Sequence, residues 1–284
     1  MSLKKIELQH NVDLKKYAHI KIGGKAKYFF WATCSDDLLR IFADTESFPY
    51  VLGAGSNLLI SDSILKKPVI KLSGSFNFIK RQGAFLEVGS STPLSLLIKY
   101  CIENDLGGLQ NLVGIPATIG GLLATGASSF GASISSHLQE VKVMDKKGEI
   151  KALPKDKIDF GYRFSSLCDY IILSAKFKLQ QAVNLKAEVR SFLEQRFNKQ
   201  DFSFPSCGCI FKNPEGKSAG YLIDSCGLKG QAKGDAQVSG KHANFIINLG
   251  SAKYDDVDYL IQKIKDQIYK KYSIILDEEI KRWQ

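Results

Sequence analysis

Two glycine-rich stretches carry the residue types from which a phosphate cradle is built. One is Gly114-Ile115-Pro116-Ala117-Thr118-Ile119-Gly120-Gly121. The other, Gly53-Ala54-Gly55-Ser56-Asn57-Leu58, directly follows the strand-like Tyr50-Val51-Leu52. Glycine lets backbone pass close to a ligand, and proline stiffens the approach. Successive N–H groups in such a turn converge on one anion. Either stretch alone is better explained by a tight turn. Two in one chain point to a ligand that bears a pyrophosphate.

Three further stretches set a reactive side chain in unusual backbone. Asp159-Phe160-Gly161-Tyr162-Arg163-Phe164-Ser165 holds a lone arginine among aromatic and small residues. Its planar fork of donors suits a carboxylate or a developing enolate, and equally a structural ion pair. Next, Ser206-Cys207-Gly208-Cys209-Ile210-Phe211-Lys212-Asn213-Pro214 places a thiol after a glycine. A free thiol titrates near ~8.5, so at neutral pH it still holds a proton to give. On the residues alone, a small buried apolar side chain is the commoner use of such a cysteine. Lys212 and Asn213 suit phosphate, amide or hydroxyl groups. Lastly, Leu276-Asp277-Glu278-Glu279-Ile280 lies near the C-terminus, where acidic residues are ordinarily solvated.

Composition narrows the classes. The chain has 284 residues, 44% of them hydrophobic, which suits two or three compact units. No apolar run reaches membrane-spanning length, and no apolar stretch follows the first lysines as in a signal peptide. A soluble cytoplasmic protein is expected, with no membrane partner. The net charge of +10 is dispersed, without an arm or an RNA-binding signature. It favours anionic partners, and a solvated basic surface accounts for it better than nucleic-acid binding. Six scattered cysteines are expected to be reduced; Cys207 and Cys209 form a C-x-C with no second pair, so no metal site is expected.

The elements that must position these residues alternate in type. Residues 26–31 read as a strand, 36–42 as a short capped helix, and 50–52 and 58–60 as strands, so that the first glycine turn closes a β-α-β beginning. Short strands follow at 69–72, 77–79 and 85–88. Apolar spacing and Pro93 predict a helix over 93–103. Residues 141–144 and 149–152 form a hairpin around Asp145-Lys146-Lys147-Gly148, and 170–179 a strand. Beyond a boundary near 180–184, helices are expected at 185–198, 218–226 and 254–272, and strands at 244–248 and 273–276.

In common order and spacing, several of these segments resemble the UDP-N-acetylenolpyruvoylglucosamine reductase family of flavoenzymes (MurB). The segments are Ile22-Gly23-Gly24, both glycine stretches, Tyr162-Arg163-Phe164-Ser165, Gly208-Cys209-Ile210-Phe211-Lys212-Asn213-Pro214, Ala219-Gly220-Tyr221-Leu222-Ile223 with Gly227-Leu228-Lys229-Gly230, Ala236-Gln237-Val238-Ser239 with His242-Ala243, and 276–280. The short C-terminal third looks like the type II branch.

The resemblance implies an α+β fold. A two-part FAD-binding domain of the vanillyl-alcohol-oxidase (PCMH) type would span 1–66 and 67–182, and a smaller α+β substrate-binding domain 183–284. It implies FAD as cofactor, NADPH as reductant and a UDP-sugar as small-molecule substrate. FAD contacts would come from Gly53, Ala54, Gly55, Ser56, Asn57, Leu58, Gly114, Ile115, Pro116, Ala117, Thr118, Gly120 and Gly121. Arg163, Cys209 and Glu279 would be catalytic, and Lys212, Asn213 and His242 would contact substrate.

Departures from the family pattern are specific. Ala54 and Ala117 replace glycines, so those turns must have negative φ or tolerate a methyl group. Gly126 replaces an asparagine, and Ser128-Ser129 a Gly-Ala. Cys209 replaces a serine proton donor, and Glu278 a proline. Two other readings share these residues: a flavin oxidoreductase acting on another alcohol or sugar, and a non-catalytic nucleotide-binding module.

Overall fold

A computed structural model describes residues 7–43, 45 and 47–284. The chain divides into two compact units. One comprises Met1–His10, Tyr28–Ala54 and Lys67–Gln195; the other comprises Asn11–Lys27, Gly55–Lys66 and Arg196–Gln284.

In the first unit, Lys25–Ala32, Val69–Leu72 and Tyr50–Val51 pair in parallel, with helix Ser35–Ala43 between the first and last in sequence. This is the expected β-α-β beginning. Leu38 and Ile41 of the helix pack with Phe30, Ile70 and Leu72 in one core. A five-stranded antiparallel sheet lies beside it in the same unit, in the order Ile150–Pro154, Leu138–Met144, Ile171–Lys178, Phe85–Gly89, Ile79–Gln82.

The central strand of that sheet is buried from Ile171 to Ala175. Alternation sends Ile171 and Leu173 into the core of the parallel sheet, and Ile172 into the core beneath the helices. A strand apolar on both faces is what two covering layers demand. Helix Leu94–Glu103 begins after Pro93 and buries Leu94, Leu97, Ile98 and Cys101, one stripe at helical spacing. With helix Ile119–Thr125 it covers one side of the sheet.

In the second unit, Ser206–Cys209, Phe245–Asn248, Ala236–Val238 and Ala232–Lys233 form an antiparallel sheet. Helix Tyr254–Tyr272 packs by Val257, Leu260, Ile261, Ile264 and Ile268. Two expectations are corrected. The final strand is not 273–276 but Lys281–Trp283, which pairs in parallel with Leu58–Ile60. Ser273 is left-handed, with φ 55°, and ends the long helix, while Ile275 is exposed and pairs with no strand among the described residues. The expected strand 77–79 begins only at Ile79, because Gly74–Phe76 closes a turn that Asn77 terminates.

Candidate active site

Within the first unit Gly53 lies against the second glycine stretch. A Cβ at Gly53 would lie 2.9 Å from Oγ1 of Thr118, and one at Gly120 would lie 3.1 Å from the Ser90 carbonyl oxygen. A methyl group at either position would force its neighbour to shift. Thr118 caps helix Ile119–Thr125 by accepting from Gly121 N at 3.3 Å. Lys71, on the neighbouring strand, donates to the Gly53 carbonyl at 2.9 Å, and burial pushes its ammonium pKa down.

The backbone polar groups of residues 53–57 divide cleanly. The carbonyls of Gly53, Gly55 and Asn57 accept from Lys71 Nζ, His19 N and Lys281 N. None of the five amides finds an acceptor among the described residues. Gly55 has φ 71°, and a Cβ there would run into the carbonyl oxygen of Tyr17. Five amides in succession without a protein acceptor are the donor set an anionic ligand requires. The second stretch is less open: the amides of Ala117, Ile119 and Gly120 bond to Ile115, Thr92 and Ser90 carbonyls. Only Gly114 and Thr118 there keep amides without an acceptor among the described residues. Ala54 and Ala117 do not adopt positive φ, so their methyl groups cost nothing in backbone conformation.

Arg163 sits at the left-handed φ of 55°, uncommon for a side-chain-bearing residue. Its Nη1 donates to the Ser128 carbonyl at 2.8 Å and to Ser128 Oγ at 3.1 Å, and its guanidinium lies 5.6 Å from the Tyr162 ring centre. Helix Ile119–Thr125 ends on Gly126, φ 59°, where a Cβ would strike the Phe164 carbonyl. Both departures in this tract thereby acquire a structural reason: Gly126 admits the Arg163 turn, and Ser128 holds the guanidinium. Ser128→Ala removes one of the two bonds and is expected to slow turnover about fivefold, the worth of ~1 kcal/mol, with little change in thermal midpoint. Steady-state rates and a melting curve check both parts.

In the second unit, Gly208 with φ 77° makes a bulge: three positions carry the strand from Ser206, opposite Ile247, to Cys209, opposite Phe245. A bulge re-aims the side chain that follows it. Cys207 is buried, and burial pushes its thiol up to about 12, whereas Cys209 is half-exposed. The chain beyond is held hard. Asn244, itself buried, bonds Phe211 N through Oδ1 at 2.9 Å and Phe211 O through Nδ2 at 2.8 Å.

Glu279 N then donates to Ile210 O at 2.8 Å, Lys212 N to Asp277 O at 2.9 Å, and Asn57 Nδ2 to Glu279 O at 3.2 Å. Glu279 is therefore tied to Ile210, next to Cys209, by a backbone bond and to Asn57 by the Asn57 side chain. Asn213 Oδ1 accepts from Ala219 N at 3.0 Å, at the start of helix Ala219–Ser225. The His242 ring lies 4.5 Å from that of Phe245, tilted by 51°, and its buried Nδ1 has no hydrogen-bond partner among the described residues. Burial holds its pKa below the ordinary value, so the ring is neutral at neutral pH. A buried nitrogen left without a partner is costly unless a ligand supplies one. No group of three metal-ligating side chains occurs among the described residues, and no described helix is long and apolar enough to cross a membrane.

Residues 26–153 match the FAD binding domain family, and residues 197–283 match the UDP-N-acetylenolpyruvoylglucosamine reductase C-terminal domain. The UDP-N-acetylenolpyruvoylglucosamine reductase of Desulforamulus reducens is 34% identical over 99% of this chain and 95% of its own. That of Thermotoga sp. is 36% identical over 95% and 91%. The chain belongs to the UDP-N-acetylenolpyruvoylglucosamine reductase family. A crystal structure of the Thermus caldophilus reductase superposes with a TM-score of 0.86, at 33% identity, covering 99% of both chains. The α+β fold read from the sequence, with its FAD-binding type, is that of this reductase family.

Of the site residues expected from the reductase pattern, the first unit brings together Gly53, Thr118, Gly120 and Gly121. It sets Arg163 beside Ser128, at the end of the helix that Thr118 caps. The second unit joins Asn57, Cys209 and Glu279, with Lys212 next to the Asp277 backbone. Sequence reasoning missed Lys71, Ser128 and Asn244 as supports. None of them carries a local signal, because each acts on backbone distant in sequence.

Proposed function

We propose that this protein reduces UDP-N-acetylglucosamine enolpyruvate to UDP-N-acetylmuramate with NADPH, as an FAD-containing oxidoreductase of peptidoglycan precursor synthesis. The observation that carries the cofactor assignment is the run of five amides at 53–57 with no acceptor among the described residues, in a turn where Gly55 has left-handed φ and a Cβ would meet the Tyr17 carbonyl. Those residues fit a pyrophosphate. Gly53 to Leu58 would hold it, and Gly114 to Gly121 would line the approach, with 1–66 and 67–182 as cofactor-binding segments and 183–284 as the substrate-binding part. Held there, FAD would supply hydride transfer from NADPH to the methylene carbon of the enolpyruvyl group.

The chain's own residues do the rest. Arg163 offsets the negative charge that builds on the neighbouring carbon and its carboxylate. Cys209 gives its Sγ proton to that carbon. Glu279, protonated at this step, donates a hydrogen bond to the enolate oxygen, since an ionised carboxylate only accepts. Lys212 and Asn213 bind the UDP-sugar, and His242 offers Nδ1 to it. The net charge of +10 suits three polyanionic ligands and calls for no nucleic-acid partner.

An anaerobic experiment tests the reading. NADPH should abolish the visible flavin absorbance of the purified protein, and adding the enolpyruvyl substrate should restore it with formation of UDP-N-acetylmuramate. A flavin that stays reduced with that substrate would refute it. The cradle is tested separately by Gly55→Ala. Left-handed φ together with the Tyr17 carbonyl should cost about 2–3 kcal/mol in FAD affinity, roughly a hundredfold in Kd. Quenching of flavin fluorescence reads it.

A further inference from the structure

The segment that carries Glu279 is braced on its opposite face. Glu278 is mostly buried, with its side chain 17% exposed. It accepts from Arg282 Nε at 2.7 Å, Arg282 Nη2 at 3.1 Å and Lys265 Nζ at 2.6 Å. Arg282 Nη1 also donates to Asp258 Oδ1 at 2.6 Å and to the Tyr254 hydroxyl at 2.9 Å. Tyr254, Asp258 and Lys265 come from one face of helix Tyr254–Tyr272, at steps of four and seven residues. The two anions and two cations balance, and the guanidinium grips Glu278 with two parallel bonds, the geometry that most restricts a carboxylate. Burial alone would raise the Glu278 pKa; the bonds from Arg282 and Lys265 outweigh it and hold the group below the ordinary carboxylate range.

Alternate residues of the same segment bond the other way. Asp277 O accepts from Lys212 N, Glu279 N donates to Ile210 O, Glu279 O accepts from Asn57 Nδ2, and Lys281 N donates to Asn57 O. The backbone of 277, 279 and 281 is tied to the Cys209 strand and to Asn57, while the side chains of 278 and 282 are bolted to the long helix. A slip of the segment would break both sets at once.

We infer that Glu278, Arg282 and Lys265 act as positioning residues: their cluster sets the height of Glu279 against the Cys209 strand and Asn57. The inference rests on the reading of Glu279 as a carboxyl group at the reacting carbon. Displacement of a reacting group by a fraction of an ångström costs on the order of tenfold in rate.

Glu278→Gln, which keeps the shape and loses the charge, is compared in the FAD-loaded protein with Glu279→Gln and Arg282→Lys. For Glu278→Gln, loss of flavin absorbance on adding NADPH should stay within about twofold of native, product formation should slow about tenfold, and amide exchange at Glu279 and Lys281 should accelerate selectively. Arg282→Lys, which keeps charge but not the fork, should give a smaller change in the same direction. Should Glu278→Gln not fold, Arg282→Lys carries the test alone. Product formation unchanged in Glu278→Gln but slowed in Glu279→Gln overturns the positioning role. Equal slowing of both half-reactions, or exchange raised throughout the unit, also overturns it, because that marks a purely structural brace. Both variants as active as native would instead overturn the reading of Glu279.

Discussion

Cys209→Ala is expected to lower product formation by about 10²–10⁴-fold, the range that a positioned proton donor contributes, while NADPH still reduces the bound flavin at the native rate. Cys209→Ser should keep product formation within about tenfold of native, since a hydroxyl at the same Cβ also carries a proton. The glycine bulge leaves Cys207 buried, where its thiol is pushed up to about 12 and has no chemistry to offer, and leaves Cys209 half-exposed. The bond from Glu279 N to Ile210 O fixes the backbone immediately after Cys209. The alanine variant removes only the Sγ–H and keeps these bonds, so a fall confined to product formation isolates the proton transfer. Stopped-flow measurement of the two half-reactions separates them. Equal product formation by the alanine variant would remove Cys209 as the acid.

How far the site could be read from sequence depends on whether its information is local. Gly53, Gly55 and Gly114 were legible because a backbone requirement writes itself into a single residue type. The structure gives Gly55 φ 71° and Gly114 φ 82°. The requirement placed on Ala54 and Ala117 was equally local. Helix Tyr254–Tyr272 announced itself through the spacing of Val257, Leu260, Ile261, Ile264 and Ile268. By contrast, the acids near the C-terminus read as solvated, yet Glu278 is mostly buried, because Arg282 and Lys265 reach it from positions that no local pattern marks. Residues 273–276 are apolar and β-branched enough for a strand, but propensity supplies no partner. The pairing went to Lys281–Trp283, which lies against Leu58–Ile60 more than two hundred residues earlier. The same limit hid the division between Cys207 and Cys209. It was decided by a register shift against Phe245–Asn248, and a two-residue spacing alone predicts one common face.

Arg163 gives the second large effect, and its signature is a split between function and stability. Left-handed backbone costs an ordinary L-residue roughly 1–2 kcal/mol, a strain that glycine does not bear. Arg163→Gly gains back that strain, loses about 0.5–1 kcal/mol to the flexibility of glycine in the unfolded chain, and loses the bonds to Ser128. The opposing contributions nearly cancel, so the thermal midpoint should move by no more than a few degrees. Product formation should nevertheless fall by about 10²–10³-fold, the measured worth of a donor aimed at a developing oxyanion. Arg163→Lys should fall between native and glycine, because an ammonium keeps the charge but cannot hold Ser128 and substrate through one rigid fork. A residue kept in a strained conformation for its fold alone would show the opposite pattern, with stability lost and turnover preserved. Melting curves and single-turnover rates on the two variants therefore decide whether the strain at Arg163 serves the chemistry.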